Sequence, residues 1–517
     1  MSETIVKHLN FGDDAKNKIF EGINKLTKAV SSTLGASGRC VILEDGKGNP
    51  QITKDGVTVA NSVILLDPVE NMGSKLLKEA ARQTVKEAGD GTTTATVLAH
   101  AILQEAYKAI KSENSREIKD GINLAVTKVV SYLEEISSKV DEDKINQVAT
   151  ISANNDSELG KIISDAFKAV DLTGIVMMET HDEPSTEMES IEGIQYEAGF
   201  QNSHFITNKI NDTVELENPK VLIIESRLES IRKIEHVLKH VMQPSTESPL
   251  LIIADADPQV MTALAMNKVK GNLKVNIIDA PIYGLNKRDT LDDLCLLTGA
   301  TLINEDLGDD MDLIDEQCLG SCDKAVSTRT ETLIHVSTES KEVKALIKEL
   351  KSKVKGTKNP NLKIKYEKRL ARLLSKIAVV KVGANSEVEL KEKKDRVEDA
   401  ICATKAAIKE GIVPGGGIAL INASEKLMVG PVSPGEEVLL KAIRAPFNVI
   451  LDNAGIKAIP AEMNEGEGLD VVTGKKVSMV KSGIIDPLLV TKSALKNAAS
   501  VATTILSTDC VINNLRA

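Results

Sequence analysis

Apolar residues recur every three or four positions in the outer parts of the chain, whereas the middle contains short runs of residues typical of β-strands. The helical spacing is found in five segments, 13–34, 74–140, 396–409, 436–453 and 492–506. The short runs that indicate strands lie at 174–179, 220–224, 250–253 and 275–278, and helical stretches at 228–242 and 258–269 alternate with them. The pattern therefore predicts one discontinuous helical domain with an α/β domain inserted in it.

The most informative local motif is Gly-Asp-Gly-Thr-Thr-Thr at positions 89–94. Glycines permit close backbone approach to an anion, and the helical spacing that follows from Thr94 places them at a helix N-terminus, which favours phosphate. A carboxylate at Asp90 would repel phosphate unless a cation lies between them, so the motif suggests Mg²⁺. The alternative is an ordinary Gly-Asp-Gly turn between helices, capped by threonine.

Composition narrows the class of protein. A chain of 517 residues exceeds one hydrophobic core, and about two to four domains are expected. The net charge of −11 argues against a nucleic-acid scaffold. The six cysteines form no C-x-x-C pair, and no apolar run is long enough to span a membrane. We expect a cytoplasmic protein without a disulfide framework, a nucleic-acid partner or a membrane segment.

Several motifs taken together resemble one family. They lie at 33–39, 52–56, 70–73, 89–96, 151–154, 388–400 and 414–417, in that order along the chain. The set resembles the group I chaperonins, the GroEL-like family of 60 kDa chaperonins, from about Lys7 to Cys510. No Walker A pattern occurs, so phosphates would be bound through these other loops.

The resemblance implies the chaperonin fold, a multidomain arrangement that combines α+β and α/β parts. A mostly helical equatorial ATPase domain would comprise 1–136 and 410–517, and a small intermediate domain would comprise 137–191 and 378–409. The α/β apical domain, which binds clients and a lid, would be 192–377. Ser375-Lys376 occupies the place of a glycine pair at the apical hinge.

In function, the resemblance implies an ATP-dependent chaperonin that captures non-native proteins on apolar apical surfaces and assists their folding in a chamber. ATP hydrolysis, classed with the isomerase-type chaperonin ATPases, would act as a timer. The implied cofactors are ATP, Mg²⁺ and K⁺. The implied partners are identical subunits in a seven-membered ring, single or double, a GroES-type lid, and non-native client proteins.

The resemblance also assigns roles to individual residues. Asp399 would be the catalytic carboxylate, assisted by Asp55, and Asp90 would hold Mg²⁺. The remaining nucleotide-binding positions are Thr33, Leu34, Gly35, Lys54, Gly91, Thr92, Thr93, Thr94, Gly416, Asp470, Val472 and Asp486. Of these, Lys54 would lie near K⁺, Gly416 and Asp486 would contact the ribose, and Asp470 with Val472 would line the adenine. Without the family, Asp399 would be interpreted as an exposed acid on a charged helix.

Client and lid binding would use an apolar groove. The matching positions are Phe200, His204, Phe205, Leu238, Met261, Leu264, Ala265 and Met266. Such a groove explains a broad client range because apolar burial is non-directional. Glu235 replaces a family leucine on this surface, which would weaken the grip on apolar clients.

Two other functions are considered. A chaperonin-like holder or scaffold with weak ATP cycling would fit the altered hinge and groove. An ordinary ATP-dependent metabolic enzyme would need a specific small-molecule site, and neither a Ser/His/Asp arrangement nor a histidine-rich metal cluster is evident in the sequence.

Overall fold

The computed structural model describes the chain from residue 7 to residue 514 with internal gaps. The described residues are 7–44, 48–111, 113–170, 175–181, 183–196, 198–208, 212–243, 248–279, 287–305, 308–311, 314–336, 341–357, 362, 366, 369–370, 373, 376–456 and 464–514. The predicted hinge position Ser375 lies outside them. The chain divides into two compact units. The first comprises Met1–Lys168, Met178–Met188 and Val380–Ala517, and the second comprises Ala169–Met177 and Glu189–Val379.

The first unit is mostly helical. Its N-terminal elements are β1 (Lys7–Phe11), α1 (Gly12–Ser31), β2 (Val41–Glu44), β3 (Pro50–Thr53), α2 (Gly56–Ser62), α3 (Pro68–Ala88), α4 (Thr92–Ala109), α5 (Ser115–Ile136), α6 (Glu142–Ser152) and α7 (Ser157–Ala169). A main apolar core is formed by α1, α3, α4 and α5 with helices from the C-terminal part of the chain. Both sequence ends therefore build one core, as the pattern predicts.

The second unit is the inserted α/β part. It contains β4 (Ile175–Thr180) and β5 (Glu187–Tyr196), which continue into the first unit, then β6 (Val214–Glu217), β7 (Lys220–Ile224), α8 (Glu235–Val241), β8 (Leu250–Ile253), α9 (Pro258–Val269), β9 (Val275–Ile278), α10 (Lys287–Thr298), β10 (Leu302–Ile303), β11 (Gly320–Ser321), β12 (Lys324–Ser327), β13 (Thr332–His335), α11 (Lys341–Gly356) and β14 (Lys376–Val382). One sheet has the order β10-β7-β8-β9 with β11 added beside β7, and the other has the order β4-β14-β5-β13-β12-β6. All residues of β8 and β9 and the last four residues of β7 are buried where these strands pair in parallel, which explains why the strands are mostly apolar.

The returning part of the first unit begins with α12 (Glu387–Glu410). It continues through β15 (Ile412–Pro414), α13 (Ile418–Leu427), α14 (Pro434–Ala442), α15 (Ala445–Asn453), β16 (Glu467–Asp470), β17 (Lys475–Ser478), β18 (Ile485–Pro487), α16 (Leu488–Leu506) and β19 (Cys510–Asn514). The strand β19 pairs antiparallel with β1, joining the two ends of the chain. None of the helices in the described part of the chain is both long and apolar enough to cross a membrane.

Two helix predictions need correction. The segment 228–242 is not one helix: a 3₁₀ turn at Ile231–Ile234, capped by the Ser230 side chain, precedes the short α8. The segment 436–453 is interrupted between α14 and α15, where Pro446 lies in the first turn of the new helix. Proline has no N–H to donate, so it is accommodated at a helix start and not in its interior.

Candidate functional site

A cavity of about 410 Å³ lies within the first unit. Its lining includes all fifteen residues to which the sequence assigns a catalytic, metal or nucleotide-binding role: Thr33, Leu34, Gly35, Lys54, Asp55, Asp90, Gly91, Thr92, Thr93, Thr94, Asp399, Gly416, Asp470, Val472 and Asp486. These residues come from widely separated parts of the chain, so the fold brings them to one place. Their individual roles stay predictions.

The loop between α3 and α4 positions the phosphate motif. Gly89 ends α3 with φ 75°, and Gly91 precedes α4 with φ 94°. A Cβ at Gly91 would lie 2.7 Å from the Val490 side chain, so both backbone conformation and space require glycine. No side chain caps the N-terminus of α4, which leaves its first N–H groups facing the cavity region.

The threonines of this motif have a different position from the predicted one. The sequence places the start of the helical spacing at Thr94, and the alternative interpretation has threonine as the cap, but α4 begins at Thr92 and its N-cap residue is Gly91. The Thr96 hydroxyl donates to the Thr92 carbonyl within the helix. A glycine N-cap leaves the backbone N–H groups of the first turn available to a ligand. A threonine cap would instead accept a hydrogen bond from one of these N–H groups.

Asp55 and Gly56 lie at the start of α2, beside the same motif. The Asp55 carboxylate accepts hydrogen bonds from the Val57 and Thr58 N–H groups at 2.9 and 2.8 Å and so caps this helix. A Cβ at Gly56 would clash with the Thr93 hydroxyl, which shows how closely α2 approaches α4. These two bonds fix the start of α2 and leave further acceptor positions on the carboxylate.

The first glycine loop follows α1. The Thr33 hydroxyl donates to the Val30 carbonyl at 2.8 Å, and Gly35 has φ 84°. From α15, the Asn453 side-chain amide donates to the carbonyls of Ser31 and Leu34, both at 2.9 Å. The loop is thus held from the C-terminal part of the chain.

Asp399 lies on α12 and faces the cavity. Burial, followed by the charges of Asp90 and Asp55, holds its pKa well above the usual value for aspartate. Burial and the nearby Asp55 charge also raise the pKa of Asp90. The Gly91 N–H donates a hydrogen bond to the Asp90 carboxylate, and this bond partly offsets the rise. Several carboxylates confined together without a cation are each harder to ionise.

Asp486 and Gly416 contact each other. The strand β18 places Asp486 opposite Val413 of β15, and the carboxylate accepts the backbone N–H groups of Gly416 and Gly417. Burial, with a contribution from Asp90, raises the pKa of Asp486 from 3.8 to about 7 despite these hydrogen bonds. The predicted ribose contacts would have to be made alongside this interaction.

Asp470 and Val472 occupy the turn between β16 and β17. The Asp470 carboxylate accepts from the Val472 N–H at 3.0 Å and from the Thr473 hydroxyl at 2.6 Å. Burial opposes its ionisation, but these hydrogen bonds outweigh that effect and lower its pKa. Val472 is 70% exposed. The pair forms the rim of the cavity.

Several lining residues were not singled out from the sequence. They are the apolar wall of Pro446, Phe447, Ile450, Leu469, Met479 and Ile484, and the polar Asn155, Glu392, Asp395 and Arg396. The wall offers an apolar surface suited to a base. The i, i+4 spacing from Asp399 on a helix could have identified Asp395.

The polar side of the cavity is already organised by side chains. The Lys54 ammonium donates to the Asn154 side-chain oxygen at 3.4 Å. Arg396 forms ion pairs with Glu392 at 2.7 Å and with Asp156 at 3.4 Å. The cationic groups near the acidic cluster therefore have partners of their own.

A metal ion would need donors beyond the protein side chains. Within the described ranges, no group of three or more His, Cys, Asp or Glu side chains is close enough to hold one. Mg²⁺ usually binds one or two carboxylates and completes its shell with water and substrate phosphates. A single half-buried Asp90 beside an open helix N-terminus fits that mode.

The raised pKa values predict how the stability of the ligand-free protein depends on pH. Between about pH 4 and pH 7 the folded protein binds more protons at Asp486 than the unfolded chain does, so the free energy of unfolding falls as pH rises and levels off above. The part carried by Asp486 is on the order of 3 kcal/mol. Urea unfolding at pH 5 and pH 8 should show this slope, and Asp486→Asn should flatten it. Asp470→Asn should leave the slope unchanged, because the Asp470 carboxyl has a lowered pKa and stays ionised over this pH range.

Four of the eight predicted client-groove residues are buried in the second unit. Phe205 and Leu264 are fully buried, and Phe200 and Ala265 are 7% and 5% exposed, because all four pack in the core of this unit. They therefore do not present a surface here. Leu238 and Met261 are half-buried against the same core, and His204 and Met266 are exposed. Glu235 is exposed and pairs with Lys239 at 2.7 Å.

Comparison with known proteins agrees with this architecture. The family model described as the TCP-1/cpn60 chaperonin family matches residues 26–516. Among solved structures, the chaperonin gp146 from the bacteriophage EL 2 (Pseudomonas aeruginosa), crystallised in the presence of ATP-BeFx, is similar at 21% sequence identity. In crystal form II the TM-score is 0.74, with 100% of both chains covered. In crystal form I it is 0.67, with 98% of this chain and 99% of that chain covered.

Proposed function

The chain belongs to the TCP-1/cpn60 chaperonin family, and on that basis we propose that it is an ATPase that captures non-native proteins and assists their folding. It has the chaperonin fold over its whole length, as the sequence predicts. The observation that carries the proposal is the convergence of the fifteen predicted residues on one cavity at the N-terminus of α4. In the proposed cycle the subunits form a seven-membered ring, single or double, that a GroES-type lid closes.

Different residues of the cavity would perform different steps of ATP hydrolysis. The phosphates would lie at the open N-terminus of α4 and the first glycine loop, with the base against the apolar wall. Asp90 would hold Mg²⁺, which neutralises phosphate charge, and K⁺ would lie near Lys54. Asp399 would orient the attacking water and accept its proton as the water oxygen bonds to the terminal phosphorus and the bond to ADP breaks.

Client capture would use the exposed apolar side chains of the second unit. Met242, the residue after α8, is 46% exposed, and Met266 and Val269 of α9 are 55% and 65% exposed. Exposed methionines adapt to different apolar partners. This revised set replaces the buried members of the predicted groove.

A refolding assay tests the proposal directly. A chemically denatured client should aggregate less when diluted into this protein, and Mg²⁺ with ATP should raise the yield of active client. Suppression of aggregation without an effect of ATP would favour the holder function, and no suppression would contradict the proposal.

The proposed client surface can be tested by introducing one charged side chain into it and measuring client capture. Met266→Glu should weaken capture of denatured client by roughly threefold, because a carboxylate must be desolvated on contact with an apolar chain. The matched control is Val429→Glu, an 85% exposed residue of the first unit, which should leave capture unchanged. Equal losses in both variants would place the client surface elsewhere.

A further inference from the structure

The cavity lining includes a carboxylate, Asp395, that the proposed mechanism does not use. Asp395 lines it from α12, one helical turn before Asp399, so both side chains lie on the same face of the helix. Asp395 is half-buried and feels the charge of Asp55 from the start of α2. Asp55 adjoins Gly56, whose backbone lies against Thr93 in the first turn of α4. Asp395 therefore faces the end of the cavity where the terminal phosphate would lie.

The charges around Asp395 do not neutralise it. Asp55 and Lys54 lie across the cavity from it. The Lys54 ammonium already donates a hydrogen bond to Asn154. On its own helix, Lys391 and Lys394 favour its ionised form and Glu398 opposes it. The neighbouring Arg396 is paired with Glu392 and Asp156. No ion pair among the residues that the structure describes includes Asp395.

We propose that Asp395 determines the nucleotide preference of this site by disfavouring a nucleoside triphosphate relative to the diphosphate. The inference rests on the proposed ATP site. A triphosphate brings one more negative charge than a diphosphate, with or without bound Mg²⁺, and places it at the end of the cavity where Asp395 lies. Repulsion between that charge and the carboxylate weakens triphosphate binding selectively. The product of hydrolysis is then held comparatively tightly.

The ionisation of Asp395 gives the preference a pH dependence. Burial, followed by the Asp55 charge, raises the pKa of Asp395 from 3.8 to about 6. Above that pH the carboxylate is charged and the repulsion is present. As pH falls through this value the group takes up a proton and the repulsion is lost.

The test compares binding of ADP and of a non-hydrolysable ATP analogue by calorimetry at pH 7.5 with Mg²⁺. Asp395→Asn should tighten binding of the triphosphate by about tenfold and that of ADP by less than about twofold. Glu398→Gln removes an exposed carboxylate of the same helix outside the cavity and should leave both affinities unchanged. When both proteins are measured at pH 5.5, the ratio of ADP to triphosphate affinity of the wild-type protein should approach that of the Asp395→Asn variant.

The outcomes separate this inference from the function on which it rests. If the wild-type protein binds neither nucleotide, both are overturned. If it binds both, and Asp395→Asn shows an unchanged ratio of affinities or weaker triphosphate binding, only the role of Asp395 is overturned.

Discussion

Replacing Asp399 with asparagine should lower the rate of ATP hydrolysis by at least about a hundredfold, because the amide cannot accept the proton of the attacking water. The half-buried side chain lines the cavity next to Asp90 and Asp55, whose charges make its carboxylate more basic than an ordinary aspartate. Asparagine has nearly the same shape, so the packing of α12 and the binding of nucleotide should persist.

Phosphate release at saturating Mg²⁺ and ATP measures the effect, and ADP binding by calorimetry confirms that the site is intact. The control is Glu398→Gln, the adjacent and exposed acid of the same helix, which should hydrolyse ATP at close to the wild-type rate. A rate for Asp399→Asn within about threefold of wild type would exclude general-base catalysis by this residue.

The sequence predicts best those elements whose residues fit only one kind of secondary structure. The strands β7, β8 and β9 and the helix α9 have the predicted bounds, 220–224, 250–253, 275–278 and 258–269. A four-residue apolar run between polar turns suits a parallel strand buried on both faces and is too short for a helix. Pro258 in the first turn of α9 fixes where that helix begins.

The sequence did not indicate which apolar residues of the second unit face outward. Phe205 and Met266 are both large apolar side chains on short helical segments, yet one is fully buried and the other is 55% exposed. Sequence spacing cannot separate a binding face from a core face when both are apolar. The resemblance supplied a list of positions, and only packing distinguishes its members.

For the nucleotide site, local patterns alone identified little more than the glycine loops at 89–91 and 415–417. The remaining residues were assigned through the family resemblance, and the cavity includes all of them. The apolar wall around Phe447 was missed because its residues have ordinary core chemistry. Asp395 lies within the motif at 388–400, but the sequence of that motif does not show which of its charged residues face the cavity.

Asp90→Asn should produce two effects of opposite sign. In the ligand-free protein the carboxylate is buried near Asp55 and costs free energy to ionise, so its removal should raise the unfolding temperature. In the presence of Mg²⁺ the same change should remove most of the metal-dependent gain in nucleotide affinity, about a hundredfold, because an amide oxygen is a much weaker ligand for a hard cation.

The measurements are thermal unfolding without ligand, and binding of an ATP analogue in Mg²⁺ and in EDTA. Glu79→Gln removes an exposed acid of the preceding helix, α3, and should leave both readouts unchanged. A variant that is more stable but retains the full effect of Mg²⁺ would show that Asp90 is a strained structural acid and that the metal is held elsewhere. Loss of both stability and binding would instead mean that Asp90 maintains the loop between α3 and α4 through its hydrogen bond from Gly91. Only the opposite signs identify a carboxylate whose destabilising burial is offset when the nucleotide and its cation bind.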